Sequence, residues 1–169
     1  MDDTRDDPDD LDGMIRATLP RVYRYFAYRV GDGMEAEDLA AETLERAWVS
    51  RRKYRPDRGP WHQWVFGIAR HLAADHFRRR SRGIKTSEAG QRPLERPTED
   101  VGERRAEFSR LSLLLSRLPA RERELIALKY GAGLTNRAIA RLTGLSESNV
   151  GTIVHRVVSA MRREWEEAA

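Results

Sequence analysis

Apolar residues along this chain recur at helical rather than strand spacing. Ile15, Leu19, Val22, Tyr23 and Phe26 fall three and four residues apart, which predicts a helix that "GDG" (Gly31 to Gly33) breaks. Leu39, Ala40, Thr43, Leu44, Ala47 and Trp48 form the apolar stripe of a second helix, from about Ala36 to Tyr54. "RPDRGP" (Arg55 to Pro60) reads as a loop, because proline and glycine both interrupt helix. Trp64, Val65, Ile68, Leu72 and Phe77 mark a third helix from about Trp61 to Arg80. Residues 81–106 mix Gly, Pro, Ser and charge with no sustained apolar period, and read as a linker. Beyond it, "FSRLSLLLSRL" (Phe108 to Leu118) predicts a helix ended by Pro119. Ala120 to Tyr130 predicts another, stopped by Gly131 and Gly133. No strand-like alternation and no internal repeat is present. The pattern predicts an all-α class of two small helical domains, residues 14–80 and 107–169, joined by a flexible linker.

The last two predicted helices carry specific punctuation. Thr135 is placed to cap a short helix containing Ala138, Ile139 and Leu142. Gly144 stands where a turn between packed helices needs left-handed backbone, and Ser146 caps the next helix. Val150, Ile153, Val154, Val157 and Met161 then form an apolar seam. Cap, short helix, Gly-Leu-Ser turn and longer helix together predict a helix-turn-helix. Its second helix presents Ser148, Thr152, His155, Arg156 and Ser159 outward. An ordinary pair of packed helices is the plainer reading of the same turn.

Composition narrows the setting. The 169 residues are 34% charged, with a mean hydropathy of −0.71 and no apolar run of membrane-spanning length. Cysteine is absent, which excludes disulfides and thiolate metal sites and fits a reducing cytoplasm. Charge is unevenly spread. Residues 1–13 carry seven Asp and one Arg, and their composition predicts a disordered tail; its charge suits masking the basic block or repelling DNA, and a tail with no role is the plainer reading. Residues 51–82 carry ten Arg or Lys against Asp57 and Asp75, the footprint of a protein that meets phosphate.

Within that basic block stand Tyr54, Trp61, Trp64, Phe66 and Phe77. Aromatic faces stack unpaired bases while arginines track phosphates, so the segment suits single-stranded DNA. Trp64 shares a helix face with Ile68 and Leu72 and is a core candidate; Trp61, beside Pro60, is the candidate for exposure. Asp75 precedes Arg78 by three residues, the spacing of a helical ion pair. Enzymatic chemistry has no foothold. His62, His71, His76 and His155 are scattered, and His71 and His76 lie five apart, off the spacing that puts two ligands on one helix face. No cofactor and no metal site is expected.

Taken in order, these segments resemble the bacterial RNA polymerase sigma factors of the extracytoplasmic-function (ECF) group, over about residues 14–80 and 107–165. "AEDLAAETLERAW" resembles the helix that grips the β′ clamp coiled-coil of core polymerase. "WVFGIARHLAADHFRRR" resembles the segment that melts and reads the −10 element. "LPARERELIALKYGAGLTNRAIARLTGLSESNVGTIVHR" resembles the domain that reads the −35 element. The resemblance implies polymerase contact by Asp38, Leu39, Glu42 and Arg46. It implies −10 contact by Tyr54, Arg55, Trp61, Trp64, Arg70, His71, Asp75, Arg78 and Arg79, and −35 contact by Arg137, Arg141, Ser148, Asn149, Thr152, His155 and Arg156. It implies core polymerase (β′ clamp coiled-coil and β flap) and promoter DNA as partners, an anti-sigma factor as a further partner class, and no membrane.

The chain departs from the family pattern at Ala41, where Gln is usual, and at His71, where Asn is usual. It departs again at Gly151 to Ile153, where Lys-Ser-Arg is frequent, so two expected cations are missing. A stand-alone helix-turn-helix regulator with a helical sensing or partner domain is the other reading. It leaves "AEDLAAETLERAW" and the basic aromatic segment without a purpose.

Overall fold

A computed structural model describes residues 10–83 and 99–168. They form seven α-helices: α1 (Leu11–Val30), α2 (Met34–Val49), α3 (Trp61–Gly83), α4 (Glu99–Arg117), α5 (Ala120–Ile126), α6 (Asn136–Thr143) and α7 (Glu147–Glu167). Two 3-10 turns, Arg51–Lys53 and Pro56–Arg58, join α2 to α3, and a π turn at Ala127–Gly131 extends α5. No strand occurs among the described residues.

The acidic N-terminal segment read as residues 1–13 ends in ordered helix. Asp10 caps α1, its carboxylate accepting from the Gly13 N–H at 3.0 Å, so residues 10–13 are a cap and a first turn. Residues 1–9, and with them the masking role read for the tail, lie outside the described residues. The linker read as residues 81–106 is helical at both ends, because α3 continues to Gly83 and α4 begins at Glu99. Residues 84–98 lie outside the described residues. The second helix ends earlier than its apolar stripe suggested: α2 stops at Val49 and the chain tightens into the first 3-10 turn.

Helices α1, α2 and α3 build the N-terminal domain. Val22, Tyr25 and Phe26 of α1 are fully buried against Ala36, Ala40 and Ala47 of α2 and Val65, Phe66 and Ala69 of α3. Small residues on α2 bring its backbone close, and the aromatic rings fill the space. Truncating Phe66 to alanine would cost about 3–5 kcal/mol. The C-terminal domain packs Leu115, Leu125, Leu128, Ile139, Val150, Val154 and Val157 from α4 to α7. Its punctuation is as read: Thr135 accepts from Ala138 N–H at 3.2 Å, Ser146 accepts from Asn149 N–H at 3.1 Å, and Gly144 is left-handed at φ 76°.

The two cores are one continuous cluster. At Gly131 the C-terminal domain packs tightly on α1. A Cβ there would lie 3.0 Å from Arg24 O and from Tyr25 Cα, so any side chain would force the π turn and α1 to shift apart. That requirement, rather than helix termination alone, accounts for Gly131. Nearby, Arg21 donates to Ala132 O at 2.7 Å and to Gly133 O at 3.4 Å, tying α1 to the chain that follows the π turn.

Candidate nucleic-acid and polymerase interface

Three surfaces carry the residues singled out from the sequence. On α2, Asp38, Glu42 and Arg46 recur every four residues on one solvent-facing stripe, and Arg46 Nη2 meets Glu42 Oε1 at 2.7 Å. Leu39 does not belong to that stripe. It is 8% exposed and packs into the core, one residue's turn of helix carrying it to the buried side.

The second surface is α3 with the loop before it. Tyr54, Trp61 and Trp64 pack ring against ring, their centroids 5.0–5.7 Å apart. The expectation of an exposed Trp61 is corrected. It is 1% exposed, because Tyr54 folds back over it from the loop and donates its hydroxyl to Gly59 O at 3.2 Å. Trp64 is half-buried and forms the wall of a cleft of about 250 Å³, also lined by Lys53, Arg55, Arg58 and, from α6, Arg141. Four cations thus converge beside one indole face.

Further along α3, His71 is exposed, and its Nδ1 lies 2.8 Å from Gly67 O. Asp75 pairs with Arg78 at the expected spacing, while Arg79 is exposed. Arg70 is engaged. Its Nε meets Glu124 Oε1 of α5 at 2.7 Å, its Nη2 lies 3.4 Å from Oε2, and its Nη1 donates to Leu142 O of α6. The same Glu124 oxygen lies 3.5 Å from Nη1 of Arg29, a residue only 8% exposed. Nothing in the local sequence around Glu124 or Arg29 marked them, since the contact spans 54 residues from Arg70.

The third surface is the helix-turn-helix. Ser148, Asn149, Thr152 and His155 are exposed along the first turns of α7. Thr152 Oγ1 donates to Ser148 O at 3.0 Å. Arg156 is exposed but held, its Nη2 2.7 Å from Glu122 Oε1 of α5, and Arg137 Nε lies 3.5 Å from Glu147 Oε2. Two of the departures from the family pattern, Gly151 and Ile153, stand against packed neighbours. A Cβ at Gly151 would lie 3.3 Å from Asn136 Nδ2, and Ile153 packs against the core. Gly151 thus faces α6, while Ile153 faces the core.

Among the described residues, no group of three or more His, Cys, Asp or Glu side chains is placed to hold a metal ion. No described helix is long and apolar enough to cross a membrane.

Residues 14–83 match the family described as Sigma-70 region 2, and residues 108–161 match Sigma-70, region 4. The chain is 32% identical over 145 residues to the ECF RNA polymerase sigma factor BldN of Streptomyces coelicolor, covering 84% of this chain and 55% of that relative. It is 32% identical over 149 residues to the ECF RNA polymerase sigma factor SigL of Mycobacterium tuberculosis, covering 86% of this chain and 83% of the relative. Two solved structures share the fold. One is the sigma factor RpoE of Bartonella quintana in complex with the anti-sigma factor NepR, with a TM-score of 0.71 at 20% identity, covering 93% of this chain and 97% of that one. The other is CnrH in complex with the cytosolic domain of CnrY, with a TM-score of 0.65 at 21% identity, covering 94% and 87%. Region 2 followed by region 4, over an all-helical fold and with a relative 32% identical over 83% of its length, places this chain among the ECF RNA polymerase sigma factors of the sigma-70 family.

Proposed function

We propose that the chain directs core RNA polymerase to promoters by a division of labour between its two domains. The α2 stripe of Asp38, Glu42 and Arg46 meets the polymerase clamp. The cationic cleft before α3 takes the −10 strand, with Trp64 as the stacking face and Arg55, Arg58 and Lys53 on phosphates. His71, Arg78 and Arg79 continue that track along α3. Helix α7 enters the major groove at the −35 element through Ser148, Asn149, Thr152 and His155, with Arg137 and Arg156 beside it. Chemistry belongs to the polymerase, and the protein works in the cytoplasm. An anti-sigma factor is proposed as a further partner, since the similar sigma factor RpoE was captured with the anti-sigma factor NepR.

The observation that supports this reading best is the pairing of a cationic aromatic cleft and a capped helix-turn-helix in one chain, in the order region 2 then region 4. The Arg70–Glu124 clasp adds a condition. Arg70 reaches the −10 strand only after the C-terminal domain lets go, so promoter engagement separates the two domains. Each site is then modest alone, and polymerase makes their binding effectively intramolecular.

Size-exclusion chromatography with core polymerase and no DNA tests the polymerase half. A stable complex is expected, and its loss on Asp38→Arg with Glu42→Arg would place the contact on α2. A protein that binds duplex DNA but never core polymerase would be a stand-alone regulator instead.

A further inference from the structure

A second cavity has no part in this scheme. It lies where the C-terminal ends of α1 and α3 meet α4 and α5, and measures about 400 Å³, in the range of small-ligand pockets. Both domains wall it: Arg29, Phe77 and Arg80 from one, Ser112, Ser116 and Arg123 from the other. No carboxylate lines it among the described residues.

Its polar groups are short of partners. Arg29 is 8% exposed, yet its Nε and Nη1 make no hydrogen bond, and Nη1 only approaches Glu124 at 3.5 Å. Arg123 Nε and Ser112 Oγ are likewise buried without a partner. The remaining nitrogens of Arg123 are occupied, Nη1 on Arg29 O at 3.4 Å and Nη2 on Ser116 O at 2.5 Å. Arg80 has Glu35 at 3.7 Å, and Glu35 is shared with His76. Glu124 is shared too, because Arg70 takes it at 2.7 Å. Burial, and then the Arg29 charge beside it, lowers the pKa of Arg123. Cations withdrawn from water are costly unless an anion meets them.

We propose that this cavity binds a phosphorylated small molecule, held by Arg29, Arg123 and Ser112 and gripped from both domains. A phosphoryl group offers several acceptor oxygens in a tetrahedral array, which suits guanidinium forks and a hydroxyl arriving from different directions. The Arg29 guanidinium already lies over the Phe77 ring, 4.9 Å from its centroid, so selection falls on phosphoryl groups rather than on a base. Because the walls belong to both domains, the bound anion stabilises their closed contact by mass action. The site stands on its own geometry and does not depend on the promoter-directing reading.

Calorimetric titration of the full chain with sodium pyrophosphate, at fixed ionic strength, tests the site. Saturable one-to-one binding and a raised melting temperature are expected. Arg123→Met should weaken binding about tenfold or more, the worth of one charge-assisted contact. Ser112→Ala should weaken it several-fold, and Arg16→Met, at an exposed position of α1 away from the cavity, should leave it unchanged. If Arg123→Met fails to fold, Ser112→Ala carries the comparison. Absence of saturable binding would overturn the proposal. So would equal weakening by Arg16→Met, equal affinity for sodium sulfate, or tighter binding of a synthetic acidic peptide.

Discussion

Arg70 and Glu124 meet across the boundary between the two domains, with Nε 2.7 Å from Oε1 and Nη2 3.4 Å from Oε2. The pair is partly buried, and its carboxylate also faces Arg29. A residue proposed to meet promoter DNA from one domain is therefore held by the other.

Replacing Glu124 with glutamine removes the charge and keeps the shape. Two arginines then face a neutral group, one of them buried. A loss of about 1–3 kcal/mol is expected, below the 3–5 of a fully buried pair because Arg70 keeps some solvent contact. Urea denaturation measures it. Small-angle scattering should show a more extended Glu124→Gln protein, and nonspecific DNA affinity at low salt should rise.

Gly131 gives a second handle on the same boundary. A Cβ added there would lie 3.0 Å from the backbone of Arg24 and Tyr25. Gly131→Ala should therefore destabilise by about 1–3 kcal/mol, an overpacking effect against backbone that has little room to yield. Thermal melts should show the loss. Gly102→Ala, where no atom lies within 4 Å of the added Cβ, should show none of it.

Trp61 and Trp64 should separate structure from DNA contact. Trp61 is 1% exposed beneath Tyr54, so Trp61→Ala should cost about 3–5 kcal/mol of stability. Trp64 walls the cationic cleft, so Trp64→Ala should weaken binding of a −10 single strand by about 1–3 kcal/mol, the worth of one stacked base. Fluorescence anisotropy on a short labelled strand, beside denaturation curves, checks both.

Tyr25 predicts an alkaline signature. Its hydroxyl is buried without a hydrogen-bond partner, and burial, opposed in part by Arg29, raises its pKa to about 12 from 10. The folded state then holds the proton more tightly than the unfolded state. Its stabilising effect is complete below pH 10 and is lost as pH rises from 10 through about 12. Tyr25→Phe should flatten part of that decline and should not destabilise at neutral pH, since no hydrogen bond is lost. Stability curves at pH 8 to 11.5 check the slope.

Local chemistry made much of this legible in the sequence. Thr135, Gly144 and Ser146 announce the helix-turn-helix because caps and a left-handed turn are set by neighbours within four residues. The Asp75–Arg78 pair follows from helical spacing alone. The burial of Trp61 was not legible, because Tyr54 reaches it by folding back through two 3-10 turns that no periodicity encodes. Leu39 sits beside Asp38 in the sequence but belongs to the apolar stripe, which the hydrophobic pattern had already placed inward. Arg29, Arg123 and Glu124 carry no mark in their local sequence. Only contacts 54 to 95 residues apart draw them together, and those depend on how the domains pack.

Run-off transcription with core polymerase and genomic DNA from the same organism tests the central claim most directly. Start sites that appear only when this protein is added, and that share −10 and −35 elements, are expected. A protein that folds, fails to bind core polymerase and adds no start site would contradict the account.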